Sequence, residues 1–145
     1  MNRESGVMAR REFVATCASC CAGALLSGCG SLVTHPVPMS AGRVRLAIAE
    51  FPELAEPYGA IRVLPAGMQD PIYVLSQANG EYRALSPICT HRGCTVEVQN
   101  ERLVCPCHGS TYDRDGRVLR GPAQRALTRF PVVRSDDELV IEVGS

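Results

Sequence analysis

Short segments in which apolar and polar residues alternate follow one another from Arg43 to the C-terminus. Because alternate side chains of a strand point to opposite faces, this pattern predicts half-buried β-strands. The predicted strands cover residues 44–49, 61–64, 72–75, 82–85, 95–98, 102–104, 117–119, 130–133 and 138–142. No long stretch of this region has the periodicity of an amphipathic helix. The sequence therefore predicts an all-β domain over residues 43–145.

Two hairpin turns are predicted within this domain. Asn79-Gly80 separates two predicted strands, and both residues tolerate a positive φ. Gln99-Asn100-Glu101 separates the strands at 95–98 and 102–104. The second hairpin would bring the segments on either side of it, near residues 90 and 107, to the same end of one rigid element.

The first 28 residues are predicted to be a targeting segment rather than part of the fold. Arg10-Arg11-Glu12-Phe13-Val14 resembles a twin-arginine export signal. The apolar stretch that follows is shorter than the roughly 20 residues of a spanning helix. It ends in Leu26-Ser27-Gly28-Cys29, which matches a bacterial lipobox, in which Cys29 is lipidated and becomes the mature N-terminus. The alternative is an uncleaved membrane anchor.

Residues 29–42 are predicted to be a tether, because His35-Pro36-Val37-Pro38 disfavours a helix. The expected protein is exported from a bacterial cytoplasm and held by its lipid on the periplasmic or extracellular side of a membrane. The chain contains 15 basic and 15 acidic residues, so its formal charge is zero, and nucleic acid is not an expected partner.

The candidate chemistry lies in Cys89-Thr-His91-Arg-Gly-Cys94 and Cys105-Pro-Cys107-His108-Gly-Ser110-Thr-Tyr112. Together these segments contain four cysteines and two histidines. A [2Fe–2S] cluster takes four protein ligands, and in its Rieske variant two histidines replace two cysteines on one iron. The alternative is a tetrahedral structural zinc site, which would use four of the six side chains and leave two thiols without a role.

With Gly121-Pro122-Ala123, the two segments resemble the Rieske family. The resemblance is to its disulfide-bearing branch, which includes iron–sulfur subunits of cytochrome bc-type complexes and the small subunit of arsenite oxidase. It implies a Rieske-type antiparallel β-sandwich with a cluster-binding subdomain of two ligand loops. Its implied cofactor is a Rieske-type [2Fe–2S] cluster.

The resemblance also implies roles for individual residues. The implied ligands are two thiolates on one iron and two imidazoles on the other, namely Cys89, Cys105, His91 and His108. A disulfide between Cys94 and Cys107 would join the two segments. Ser110 and Tyr112 are implied to hydrogen-bond cluster sulfurs, and Pro122 is implied to lie in a third loop that covers the cluster.

No nucleophile–base pair, phosphate loop or independent substrate site is indicated by the sequence. The resemblance implies one-electron transfer by a subunit or partner of a membrane-associated respiratory oxidoreductase, with a cytochrome or a molybdopterin oxidase subunit as redox partner. The alternative is a free lipid-tethered electron carrier. Quinol is a further candidate partner, which Arg92 disfavours because quinol-oxidising members usually carry an apolar residue there.

A group of arginines follows the second segment, and two interpretations of it remain open. They form either a solvated surface balanced by Asp113 and Asp115, or, with Arg92, a positive docking face for an acidic redox partner. The residues concerned are Arg114, Arg117, Arg120, Arg125 and Arg129.

Overall fold

Thirteen β-strands and two short 3₁₀ helices make up residues 32–144, the part of the chain that this computed structural model describes. The strands are β1 (Thr34–Val37), β2 (Met39–Ser40), β3 (Arg43–Ala47), β4 (Ala60–Pro65), β5 (Ile72–Ser76), β6 (Tyr82–Leu85), β7 (Glu97–Gln99), β8 (Arg102–Val104), β9 (Thr111–Asp113), β10 (Val118–Arg120), β11 (Arg129–Phe130), β12 (Val132–Ser135) and β13 (Glu138–Glu142). The 3₁₀ helices are Ile48–Glu50 and Pro52–Ala55. The predicted all-β class is confirmed. The predicted signal segment 1–28 and Cys29 lie outside the described residues.

The strands form three sheets. One has the order β1-β4-β5-β6-β11 and another has the order β12-β13-β3-β2. Their aliphatic side chains share one core, which we call the base core and which includes Val44, Val63, Ile72, Leu139 and Ile141. The third sheet has the order β10-β9-β8-β7. Its strand pairs are all antiparallel.

Strand β5 connects the base core with a second core. All five of its residues are buried, which is unusual for an edge or surface strand. Ile72 and Val74 pack in the base core, whereas Tyr73 and Leu75 pack in the second, which we call the site core. Alternate side chains of a strand point to opposite faces, so β5 lies between the two cores. The site core also contains Cys89 and Cys105, which places two candidate ligands inside the hydrophobic interior.

The third sheet carries both Cys–His segments. Strands β7 and β8 pair from Glu97 with Val104 to Gln99 with Arg102, which confirms the second predicted hairpin. The first segment precedes β7 and the second lies between β8 and β9. Strand β9 was not predicted, although it pairs with β8 over its three residues. The hairpin and β9 together hold the two segments at one end of this sheet.

The predicted tether is wrong for residues 34–40. Thr34 to Val37 form β1, which runs parallel to β4 at the edge of the first sheet, and Met39 and Ser40 form β2. Edge strands accept proline because one side of the backbone needs no ladder partner, so Pro36 does not prevent pairing. Val37 is buried in the base core and fixes the strand there.

The Asn79-Gly80 hairpin is confirmed by its hydrogen bonds. The N–H of Gln77 donates to the carbonyl of Glu81 at 2.8 Å, and Gly80 has a φ of +78°. No helix among residues 32–144 is both long and apolar enough to cross a bilayer.

A buried arginine joins the third sheet to the first. Arg114 is only 3% exposed, and its guanidinium donates to the carbonyls of Gly59 (2.7 Å), Ser76 (3.2 Å) and Asn100. Its Cζ also lies 5.7 Å from the centroid of the Tyr58 ring. Gly59 and Ser76 belong to the first sheet and its loops, whereas Asn100 lies in the β7–β8 turn. Arg114 therefore fixes the site-bearing hairpin against the base of the molecule.

Candidate metal centre

Two six-residue loops carry the cysteines and histidines, and both have the same backbone arrangement. We call residues 89–94 the first Cys–His loop and residues 105–110 the second. In the first, the N–H of Cys89 donates to the carbonyl of Cys94 at 2.8 Å, and the N–H of Gly93 donates to the carbonyl of Cys89 at 2.9 Å. In the second loop, the N–H of Cys105 donates to the carbonyl of Ser110 at 2.8 Å, and the N–H of Gly109 donates to the carbonyl of Cys105 at 2.9 Å. Gly93 and Gly109 have φ values of 79° and 74°, where a side chain would be strained.

Cys89 is a buried free thiol surrounded by hydrogen-bond donors. Burial raises the pKa of this thiol, but donors lower it by more, so the net pKa lies below its usual value. The donors are the Tyr112 hydroxyl, the backbone N–H of His91 and the side chains of Cys105 and Ser110. This environment favours a negative sulfur at position 89, which is the form that binds a metal.

Cys105 is the second buried free thiol and shares a hydrogen bond with Cys89. Burial raises the pKa of Cys105, and the hydrogen bond to Cys89 raises it further. The backbone N–H groups of Cys107 and His108 oppose this shift without cancelling it. The pair therefore holds one negative charge readily, and a second thiolate requires a compensating positive charge such as a metal ion.

The two histidines form a separate pair. The rings of His91 and His108 lie edge to face, with their centroids 4.9 Å apart. His108 is exposed and His91 is half-buried. The Nδ1 atom of His91 is buried without a hydrogen-bond partner among the described residues. A buried polar atom left unpaired costs about 1–3 kcal/mol, and an imidazole nitrogen in this state fits a metal-binding role.

The predicted disulfide is present. Cys94 and Cys107 are bonded, with their Cα atoms 6.5 Å apart, and the bond joins the two Cys–His loops. Each of the two loops contributes one member of the thiol pair and one member of the imidazole pair, so the disulfide links both halves of the candidate site.

The separation of thiols from imidazoles distinguishes a two-metal cluster from one zinc ion. Zinc bonds of about 2.0–2.3 Å would bring all four ligand atoms within about 4 Å of one another. Within residues 32–144, the one group of three or more candidate ligands whose atoms lie within 4.8 Å of one another is Cys94, Cys105 and Cys107. Two of those sulfurs are in the disulfide and are not thiolates. The two free thiols and the two histidines instead form two pairs, as a cluster with two ligands on each metal requires.

Tyr112 reaches the first thiol from strand β9. Its hydroxyl lies 3.2 Å from the Sγ atom of Cys89, and the residue is fully buried. The N–H of Thr90 donates to the tyrosine oxygen at 3.3 Å, and the Thr90 hydroxyl lies 3.2 Å from it. The same threonine hydroxyl donates to the carbonyl of Arg125 at 2.6 Å. Because the Thr90 proton points to the Arg125 carbonyl, the phenolic proton of Tyr112 has two acceptors within reach, the Cys89 sulfur and the Thr90 oxygen.

Ser110 connects the second Cys–His loop to residues 120–126, the last residue of β10 and the loop that follows it, which together we call the third loop. Its fully buried Oγ accepts a hydrogen bond from the N–H of Ala123 at 3.0 Å. Pro122 lies next to this contact and is exposed, and it follows Gly121 through a cis peptide bond. The third loop thus contacts the first loop through Thr90 and the second through Ser110.

Two residues that position the site were missed in the sequence. Thr90 lies inside the first Cys–His segment, so its proximity to the ligands was visible, but its bonds to Tyr112 and Arg125 depend on the tertiary fold. Arg114 was placed in the group of solvated or docking arginines, which is wrong because it is buried; its carbonyl partners are 14 to 55 positions away in the sequence and gave no local signal.

Comparison with known proteins gives a family match over the region of the site. Residues 55–131, more than half of the chain, match the model of the Rieske [2Fe-2S] domain. This segment includes both Cys–His loops and the third loop.

Similar proteins include cytochrome b6-f complex iron-sulfur subunits. The subunit from Trichodesmium erythraeum is 41% identical over 101 residues, covering 66% of this chain and 55% of that protein. The subunit from Cyanothece sp. is 37% identical over 100 residues, covering 65% and 54%. This chain therefore spans about half the length of these relatives.

Solved structures give the same fold. The cyanobacterial plasma membrane Rieske protein PetC3 from Synechocystis is 33% identical, with a TM-score of 0.51 over 57% of this chain and 85% of that chain. The complex of reduced oxygenase and oxidized ferredoxin in carbazole 1,9a-dioxygenase is 19% identical, with a TM-score of 0.57 over 71% and 94% of the two chains, a likeness of fold alone.

Proposed function

The chain belongs to the Rieske [2Fe-2S] domain family, and on this premise we propose that it transfers single electrons as a subunit or partner of a membrane-associated oxidoreductase. The observation that carries the proposal is the separation of the donor set into a buried thiol pair and an outer imidazole pair. Two ligand pairs of different chemistry fit a cluster in which each iron has its own pair.

This arrangement supports four ligands. Cys89 and Cys105 would hold one iron as thiolates, and His91 and His108 would hold the other through imidazole nitrogen. The unpaired Nδ1 of His91 supports ligation at that atom. When bound, the cluster supplies a reversible one-electron couple, at a higher potential than an all-cysteine cluster because two neutral imidazoles replace two thiolates.

The surrounding residues stabilise negative charge on the thiol pair. The Tyr112 hydroxyl and the backbone N–H groups near Cys89 and Cys105 are directed at sulfur. Hydrogen bonds to sulfur favour the more negative, reduced state and so raise the potential. His108 is the exposed member of the imidazole pair, so the electron enters or leaves at that edge.

The partner is proposed to be a membrane-bound redox protein. The relatives named cytochrome b6-f complex iron-sulfur subunits support a cytochrome among the partners. Quinol docking is disfavoured by exposed Arg92 beside His91, because an apolar tip would suit a quinol ring better. A free lipid-tethered carrier is the second candidate, and the charged tip favours it because transient redox encounters are steered by charge.

Anchoring through Cys29 remains part of the proposal. Only residues 30–33 separate Cys29 from β1, which corresponds to at most about 14 Å of extended chain. A lipid at Cys29 would therefore hold the domain close to the bilayer on the periplasmic or extracellular side, with much less reach than the predicted 29–42 tether.

The experiment that tests the function is a redox titration of the purified full-length protein, followed by optical spectroscopy. We expect one reversible one-electron transition and equal amounts of iron and acid-labile sulfide. Stoichiometric zinc with no sulfide and no redox transition would contradict the proposal.

A further inference from the structure

The arginines near the Cys–His loops fall into two groups. Arg117 and Arg129 lie 3.3 Å and 3.9 Å from carboxylate oxygens of Asp115, and Arg114 is buried between the sheets. These three are therefore engaged within the protein. Four others in residues 86–128 are exposed and have no ion pair within residues 32–144. Arg102 lies at the turn of the β7–β8 hairpin, opposite to the Cys–His loops. The other three, which we call the unpaired arginines of the loops, are Arg92, Arg120 and Arg125.

The unpaired arginines of the loops lie in segments that meet at one end of the molecule. The disulfide joins the two Cys–His loops, and the Thr90 hydroxyl donates to the Arg125 carbonyl in the third loop. The Ala123 N–H closes the third loop onto Ser110. Arg92 is in the first Cys–His loop, and the other two arginines are at either side of Pro122 in the third.

None of the three loops at this end of the molecule contains an acidic side chain. Residues 89–94, 105–110 and 120–126 contain three arginines and no aspartate or glutamate. The wider region, residues 86–128, has six arginines and four acidic residues, a net charge of +2. Residues 32–85 and 129–144 together have six arginines and nine acidic residues, a net charge of −3. The domain is thus electrically polarised, with its positive pole at the three loops.

We propose that these three loops form a docking face for the acidic surface of a one-electron redox protein. The inference rests on the proposed function, since it takes His108, which is exposed in the second loop, as the point where the electron crosses. Docking makes and breaks no covalent bond, and the one electron lost by either protein is gained by the other.

A protein surface fits this face better than a lipid surface. A bilayer held against the loops would cover His108 and block the approach of any electron donor or acceptor. Leu119, which is 59% exposed beside Arg120, and exposed Pro106 and Pro122 add apolar area between the charges. Apolar contact surrounded by charge is the usual anatomy of a protein interface.

The first experiment measures the charge at the electron-exit face. Reduced full-length protein is mixed with the anionic oxidant hexacyanoferrate(III) or the cationic oxidant tris(bipyridine)cobalt(III), at increasing ionic strength, and the rates are followed by stopped flow. We expect the anionic reaction to slow by about tenfold with added salt and the cationic reaction not to slow, because steering by exposed charges is screened. In the variant with Arg92→Gln, Arg120→Gln and Arg125→Gln, this salt dependence should be largely lost.

A matched control removes the same charge elsewhere. Arg43→Gln, Arg45→Gln and Arg134→Gln change exposed arginines of β3 and β12, in a different sheet. This variant should keep the salt dependence of the wild type. The potential of each variant is measured as well, so that a change in driving force is separated from a change in docking. Equal salt dependence in the two triple variants would overturn the proposal.

The second experiment distinguishes a protein partner from a membrane and needs no electron transfer. Binding of fluorescent poly-glutamate, a stand-in for an acidic protein surface, is compared with binding to phosphatidylcholine vesicles that contain phosphatidylglycerol. Poly-glutamate binding that is lost in the loop variant and kept in the control variant supports the docking face. Loop-dependent binding to the vesicles alone would overturn it. This assay measures binding without any electron transfer. A protein that lacks the cluster would therefore contradict the proposed function, while its binding to poly-glutamate would still test the docking face.

Discussion

Arg114 donates to the carbonyl of Gly59 at 2.7 Å, and through this contact the sheet that carries the metal site is held on the sheet beneath it. The guanidinium has no carboxylate partner within residues 32–144 and is bound by backbone carbonyls and the ring of Tyr58. Burial lowers the pKa of Arg114, yet an arginine with such a high intrinsic pKa stays charged. The site thus depends on one buried cation, which the sequence analysis had placed in a group of surface arginines.

Arg114→Met should destabilise the domain by roughly 2–4 kcal/mol, because three backbone carbonyls, of which that of Ser76 is buried, lose a charged donor. Thermal unfolding measures the change. Arg102→Met, an exposed arginine of the same sheet, is the control and should unfold within a few degrees of the wild type. If Arg114→Met unfolds at the same temperature as Arg102→Met, the contacts of Arg114 with Gly59 and Ser76 contribute little to the stability of the domain.

Tyr112→Phe should lower the reduction potential. The change removes one donor 3.2 Å from the Cys89 sulfur, and a single hydrogen bond of about 0.5–1.5 kcal/mol corresponds to roughly 20–60 mV for one electron. Ser110→Ala should act in the same direction, since the Ser110 side chain also lowers the pKa of Cys89. Protein-film voltammetry gives both values.

The matched control for this change is Tyr82→Phe. The Tyr82 hydroxyl donates to the carbonyl of Leu54 and packs against the base core rather than the metal site. Its removal should leave the potential unchanged. Potentials equal to the wild type in Tyr112→Phe and Ser110→Ala would refute the role given to these two side chains.

The predictions from sequence succeeded where local chemistry decides the structure. Asn79-Gly80 specifies a tight turn by its own backbone preferences, and the spacing of the two Cys–His segments placed both on one hairpin. They failed where distant contacts decide. Pro36 and Pro38 argued for a tether, but an edge position beside β4 and the burial of Val37 make residues 34–37 a strand.

The site shows the same division. The roles of the candidate ligands, Ser110 and Tyr112 were implied by the resemblance of short motifs to the Rieske family, whereas the pairing of Thr90 with Tyr112 and Arg125 requires the third loop to fold over the first. The arginines after the second segment could not be sorted from sequence, because exposure and ion pairing depend on the sheets. The structure shows that Arg117 and Arg129 are balanced by acids, as one interpretation expected, and that Arg114 is buried.

Replacing both Cys94 and Cys107 by serine should weaken cluster retention without removing a proposed ligand. The disulfide joins residues 13 positions apart, for which the loop-entropy model gives roughly 3 kcal/mol. The rate of iron release to a chelator should rise, and the melting temperature should fall. Unchanged release and melting would show that the hydrogen bonds of the third loop alone hold the Cys–His loops together.

Cys29→Ala should abolish lipid attachment, and Arg10→Lys with Arg11→Lys should retain the protein in the cytoplasm. Mass spectrometry of the membrane fraction measures the first effect, and cell fractionation measures the second. An unmodified Cys29 in a chain that still begins at Met1 would instead support the uncleaved anchor.

The central claim is that two thiolates and two imidazoles bind one [2Fe–2S] cluster, and electron paramagnetic resonance tests it most directly. The reduced full-length protein, grown with ¹⁵N-histidine, should give the low-average-g spectrum of a mixed cluster with hyperfine coupling to two histidine nitrogens. His91→Ala should remove one coupling or prevent cluster assembly, whereas His35→Ala should change neither. A spectrum without histidine coupling, or a protein containing zinc in place of iron and sulfide, would contradict the claim.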